Sequence, residues 1–140
     1  MKTIDVASKL IKIHEGLRLK PYRCTAGKLT IGWGRNLEDR GITEHEADIM
    51  LINDVDEIAD FLPSVFPVWD ELGTARKACL IDLCYNLGNK GFLSFKKMIK
   101  WINRLDFDNA AAEMVKSKWY GQVGGRSREL VRIMRTGQLV

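Results

Sequence analysis

Apolar residues recur at helical spacing near the start of the chain, at Val6, Leu10, Ile13 and Leu17, with Ala7 and Ile11 beside them. Intervals of three to four residues place them on one stripe. The pattern predicts a helix from about Ile4 to Glu15, with Thr3 or Asp5 as its cap and Gly16 just past its end. The period then changes. Pro21 stops further helix, Thr25 to Lys28 has turn chemistry, and Leu29 to Trp33 alternates as a strand. Alternation puts Leu29, Ile31 and Trp33 on one face, where Trp33 reads as core, and Thr30 and Gly32 on the other. Asn36 to Ile42 is polar and predicts a loop. Thr43 and Glu46 form a capping box that opens a long helix to about Leu62, its apolar positions being Ala47, Met50, Leu51, Val55, Ile58 and Leu62. Pro63 and Pro67 bracket a break. Further helices are expected over Thr74 to Leu87, closed by Gly88, then Ser94 to Asn103, Asp106 to Ser117, and Arg126 to Arg135, closed by Gly137. A small strand region followed by a helical body is an α+β arrangement.

Composition narrows the function classes. The 140 residues, 46% hydrophobic and 29% charged, fit one globular domain with an apolar core. No apolar run reaches the roughly 18 to 20 residues of a membrane span. Asp5, Lys9 and Lys12 interrupt the first segment, which excludes a standard signal peptide. Synthesis in the cytoplasm is expected, with another exit route for any work outside. The net charge of +4 reads either as an ordinary solvated surface or as attraction to a polyanion. No helix concentrates Lys and Arg on one face with aromatic interleaving, so no nucleic-acid partner is expected. Cys79 and Cys84 lie five apart on a predicted helix and face different ways, so Cys24, Cys79 and Cys84 are expected as free thiols. His14 and His45 lack a partner at ligand spacing, and neither a metal nor a cofactor is expected. Monomer is the default.

The candidate chemistry sits around the first helix end. Glu15 falls at the negative pole of that helix, which disfavours its ionised form, and partial burial is expected to push the same way. Cys24 and Thr30, from the following hairpin, are expected to face it. Alone, Glu15 is an exposed helix glutamate, Thr30 a strand threonine and Cys24 a small buried residue. Together they offer an acid to protonate a leaving oxygen and a pair of groups to handle an attacking water, the division of labour in glycoside hydrolysis. Arg23 and Lys28 are near enough in sequence to lower the Cys24 pKa. Trp69, Trp101 and Trp119 read as core.

Glu15, Cys24 nine positions later and Thr30 six beyond that, set in Glu-Gly-Leu-Arg-Leu-Lys-Pro-Tyr and Leu-Thr-Ile-Gly-Trp-Gly, resemble the signature of the phage-type lysozymes, the muramidases of tailed bacteriophages. Gly41-Ile42-Thr43-Glu44 with Asn53-Asp54-Val55, then Tyr85-Asn86-Leu87-Gly88, Lys116 to Tyr120, Gly125 to Arg128 and Arg135-Thr136-Gly137 continue the resemblance in order along nearly the whole chain. It implies a lysozyme-like fold: a small amino-terminal β-hairpin lobe over about 15–42, a connecting helix over about 43–62, and a helical lobe over about 63–140 with the first helix packed on it. The small lobe looks short between Arg40 and Gly41.

The resemblance also implies an endolysin that hydrolyses the β-1,4 bond between N-acetylmuramic acid and N-acetylglucosamine in peptidoglycan, released through a membrane lesion to lyse the host. Glu15 is then the general acid, and Arg126 its ion-pair partner, while Cys24 and Thr30 hold water. Tyr85, Asn86 and Gln122 match positions lining the cleft; their plainer readings include core packing for Tyr85 and helix capping for Asn86. Arg35 replaces a common histidine and is expected to pair with Asp54. Cys24 stands where many members have Asp. As a thiol it positions water, acts as a base once ionised, or attacks the sugar directly. A lytic transglycosylase and a catalytically dead wall-binding module remain alternatives.

Overall fold

Gly16 ends the first helix as its position suggests. In the computed structural model, which describes residues 2–140, α1 spans Thr3–Glu15, and Gly16, with φ 72°, returns its N–H to the Lys12 carbonyl. Thr3 and Asp5 do not cap it. Both lie inside the first turn, and an extended Lys2 occupies the cap position without a side-chain bond.

Three strands follow where two were expected. β1 (Arg18–Arg23), β2 (Leu29–Gly32) and β3 (Arg35–Asn36) form an antiparallel sheet in that order. Tyr22 pairs with Thr30 and Arg23 with Leu29, and Thr30 in turn faces Asn36. Trp33 is not core. Gly32 and Gly34 take positive φ, 69° and 78°, and turn the chain out of the strand, so Trp33 rides on the β2–β3 turn, 40% exposed. The Lys12 ammonium stands 5.0 Å from its ring centre. The predicted polar loop contains a one-turn helix, α2 (Leu37–Arg40), because the Asn36 side chain accepts the Asp39 N–H and caps it.

The capping box is reciprocal. Thr43 Oγ1 accepts from the Glu46 N–H at 3.1 Å, and Glu46 Oε1 accepts from the Thr43 N–H at 2.9 Å. It opens α3 (Glu44–Val65), which continues through Pro63. The missing proline N–H costs one bond in the last turn, but Leu62 and Phe66 on either side are fully buried, and Phe66 N–H still reaches the Leu62 carbonyl at 3.1 Å. The break falls at Pro67 instead.

The chain divides into two compact units, the first ending at Ile49 and the second comprising Met50–Val140. After a 3-10 turn at Trp69–Glu71, the second contains α4 (Gly73–Leu93), α5 (Lys96–Asn103), α6 (Phe107–Lys116), α7 (Lys118–Gln122) and α8 (Gly125–Thr136). Gly88, at φ 75°, breaks α4 where a stop was predicted, and a further turn of helix resumes beyond it. The short α7, capped by Ser117, was not anticipated. Leu80, Leu83, Phe92, Met98, Ile102 and Met114 are fully buried, and Phe66 meets Phe92 edge to face at 6.0 Å. Trp119 is core as expected, and Trp69 and Trp101 are half-buried and pack against the core, the latter with the Lys100 and Arg104 cations 5.4 and 5.5 Å from its ring centre. Helices plus a small antiparallel sheet make an α+β fold.

Candidate active site

Glu15 is the last residue of α1, and its carboxyl group lies against the β2–β3 turn. A methyl group at Gly34 would come within 2.5 Å of Glu15 Oε2 and 2.8 Å of its carboxyl carbon. Gly34 is therefore required twice, for its positive φ and for the room it leaves the acid. The partial burial expected of Glu15 is absent, and the residue is exposed.

Cys24 follows β1 at the mouth of the hairpin turn. Its N–H donates to the Lys28 carbonyl at 3.0 Å, and the Gly27 N–H donates back to the Cys24 carbonyl at 2.8 Å. This closes the turn so that backbone N–H groups face the sulfur. The Lys28 amide, then the Ala26 amide, hold the thiol below its usual pKa, with a smaller contribution from the Thr30 hydroxyl. Hydrogen bonds to the charged form favour it. The flanking cations are not the cause. Arg23 donates to Glu38 at 2.7 Å and to the Gly27 carbonyl at 3.0 Å, and Lys28 Nζ lies 3.4 Å from Asp39. Thr30 is 3% exposed. Its single proton serves either the Lys28 carbonyl, 2.8 Å away, or the sulfur. On the carbonyl, that proton leaves the hydroxyl lone pairs free to accept from a water.

Arg35 and Arg126 each have a carboxylate partner within their own unit. Arg35 binds Glu46 at 2.6 Å, and also donates to the Gly41 carbonyl at 3.3 Å. Glu46 comes within reach because the capping box already orients its side chain toward the start of α3. That double use holds Glu46 down to about 2, Arg35 being the largest cause and the Thr43 N–H the next. Arg126, on α8, pairs within the second unit with Asp82, on α4, at 2.7 Å.

A family model described as phage lysozyme matches residues 12–135. The chain belongs to the phage lysozyme family. It is 32% identical to the endolysin of Acyrthosiphon pisum secondary endosymbiont phage 1 over 134 residues, covering 92% of this chain and 88% of that protein. A probable T4-type lysozyme 1 of Dictyostelium discoideum is 25% identical, with 93% and 94% covered. The pre-baseplate central spike protein Gp5 of Enterobacteria phage T4 is 26% identical across 94% of this chain and 28% of its own length, so a segment of this kind also occurs inside a longer protein.

In this lysozyme the three expected substrate contacts have different surroundings. Tyr85 is 46% exposed, which excludes core packing, and borders a hollow with Leu51, Val55 and Ile81. The Asn86 carboxamide oxygen accepts from the buried Trp119 indole N–H at 2.7 Å, so this residue supports the core rather than capping a helix. Gln122 borders a groove of about 560 Å³ with Leu87, Phe95 and Trp119. The sequence reading missed Glu38. Its Oε1 accepts both from Arg23 and from the Leu29 N–H at 3.0 Å. Its only sequence signal was its place in a capped Asn-Leu-Glu-Asp turn. Cys79 and Cys84 are buried free thiols. Cys79 donates to the Leu130 carbonyl at 3.2 Å, and burial pushes it up to about 12.

Proposed function

We propose that this lysozyme is an endo-acting N-acetylmuramidase in which Glu15 protonates the glycosidic oxygen while Cys24 and Thr30 hold the attacking water. The observation that carries this reading is the Cys24–Thr30 pair, with backbone amides holding the thiol below its usual pKa and a hydroxyl 2.8 Å from the Lys28 carbonyl that can take its proton. With that proton on the carbonyl, both groups accept from one water, whose oxygen lone pairs stay free for the anomeric carbon. A base lowered toward working pH is suited to that task. Two groups on opposite sugar faces, about 6.5 to 9.5 Å apart, lead to inversion. Tyr85 and Gln122 are the contacts we assign to the glycan.

Turbidity loss of outer-membrane-permeabilised cells tests the assignment. Glu15→Gln should lower the clearing rate by about 10² to 10⁴-fold, the usual range for a general acid. Full activity in that variant would exclude the scheme. The anomer of the first product, followed by NMR, separates the roles of sulfur: inversion is expected, and retention would make Cys24 a covalent nucleophile. Among the described residues no helix is long and apolar enough to cross a membrane; the reading has the enzyme act on the wall after release through a membrane lesion.

A further inference from the structure

Glu38 occupies an unusual place in the hairpin unit. A single carboxylate oxygen receives the Arg23 guanidinium from the end of β1 and the Leu29 N–H from the start of β2. These residues flank the 24–28 turn on both sides and are themselves register partners. Arg23 extends the connection into the turn through the Gly27 carbonyl. The carboxylate is supplied by α2, which Asn36 caps. Both bonds hold the Glu38 carboxyl below the usual carboxylate range, the Leu29 N–H being the larger cause and Arg23 the next.

The pair is too exposed to serve stability. The Arg23 side chain is 66% exposed and that of Glu38 37%, and exposed pairs contribute at most about 1 kcal/mol. What the arrangement does is fix geometry. We propose that Glu38 is a positioning residue for the lysozyme reaction: by tying both ends of the 24–28 turn to α2, it keeps the Lys28 and Ala26 amides directed at the Cys24 sulfur. The cations that flank Cys24 in sequence are Arg23, engaged by Glu38, and Lys28, engaged by Asp39. Each cation is matched by an α2 carboxylate, which leaves the amides to set the thiol's acidity.

The proposal rests on the assignment of Cys24 to the water, and its test separates the two. Iodoacetamide alkylation of the folded protein at neutral pH reads the Cys24 thiolate, since Cys79 and Cys84 are buried; Cys24→Ser supplies the blank. Glu38→Ala should slow alkylation about three- to tenfold, as expected when a thiol rises by up to one pKa unit. Glu38→Gln, whose carbonyl still accepts from Leu29 and Arg23, should stay within about twofold of the parent. The pH profile of wall clearing should move to higher pH in Glu38→Ala and return in Glu38→Gln. Unchanged or faster alkylation in Glu38→Ala overturns the proposal, faster meaning that a released Arg23 outweighs the turn. Slower alkylation with an unmoved clearing profile also overturns it, because the turn would then be tuned without consequence for the reaction. An active Glu15→Gln would instead defeat the assignment of the acid and leave the alkylation result standing. Should Glu38→Ala fail to fold, Asn36→Ala loosens α2 more gently, and an unchanged alkylation rate there overturns the idea equally.

Discussion

The two units of this lysozyme are ordered by different forces. In the second, apolar burial dominates: side chains from α3 to α8 close on Phe66, Leu80, Leu83, Phe92 and Met114, which are almost wholly removed from water. In the first, among the described residues, Thr30 is alone in being buried. Its order comes from a ladder of short strands, two side-chain caps, and the pairs Arg23–Glu38, Lys28–Asp39 and Arg35–Glu46. The candidate chemistry lies in the polar unit. Hydrogen bonds have direction and apolar contacts do not, so a unit built from them aims amides and hydroxyls accurately while adding less to stability. Substitutions should therefore split by region, with stability responding in the helical unit and activity in the polar one.

The largest stability effect is expected from Phe92→Ala. Its ring is fully buried against Phe66, and removing it should cost about 3 to 5 kcal/mol in urea unfolding, with clearing activity per folded molecule retained. Asn86→Ala comes next, because it strands the buried Trp119 N–H at a cost of about 1 to 3 kcal/mol. A raised KM with unchanged stability would instead make Asn86 a substrate contact. Gly34→Ala breaks the pattern from the other side. Strain at φ 78° should cost about 1 kcal/mol, while displacement of the Glu15 carboxyl should lower kcat about ten- to a hundredfold. If stability fell and kcat held, the close approach to Glu15 would be irrelevant to catalysis.

The smallest effect concerns acid. Glu46 is held at about 2 in the folded chain, against an ordinary glutamate value of 4.5. A depressed carboxylate stabilises fully above its unfolded value, and the contribution disappears as pH falls through the folded one. Glu46→Gln should thus flatten the melting temperature between pH 4.5 and 2, while Arg35, charged throughout, adds no titration of its own between pH 5 and 8. An undiminished acid slope in that variant would move the effect to other carboxylates.

Much of this was legible in the sequence because the relevant signals are local. The α1 stripe, the Gly16 and Gly137 stops, the Gly88 break and the Thr43–Glu46 box are all settled within a few residues. The spacing of Glu15, Cys24 and Thr30 likewise singled out the residues now found on one unit. What escaped depends on direction or on tertiary context. Strand alternation put Trp33 inside because it assumed the strand continued past two glycines of positive φ. Pro63 read as a terminator because burial of Leu62 and Phe66 is invisible one residue at a time. The Arg35–Glu46 pair escaped because Glu46 read only as a cap, and its side chain is turned toward Arg35 by that cap. Arg23 and Lys28 were natural suspects for acidifying Cys24 until their side chains proved to lead to α2.

Glu46 serves as both the cap of Thr43 and the counterion of Arg35, and this dictates how much chain fits between them. From Arg35 through α2 to Glu46, the helix start is keyed to the last strand at a single setting. Inserting or deleting one residue in 36–42 would rotate the carboxylate away from one of its two obligations. Variation in the length of this connector among relatives should therefore be accompanied by replacement of Arg35, Thr43 or Glu46.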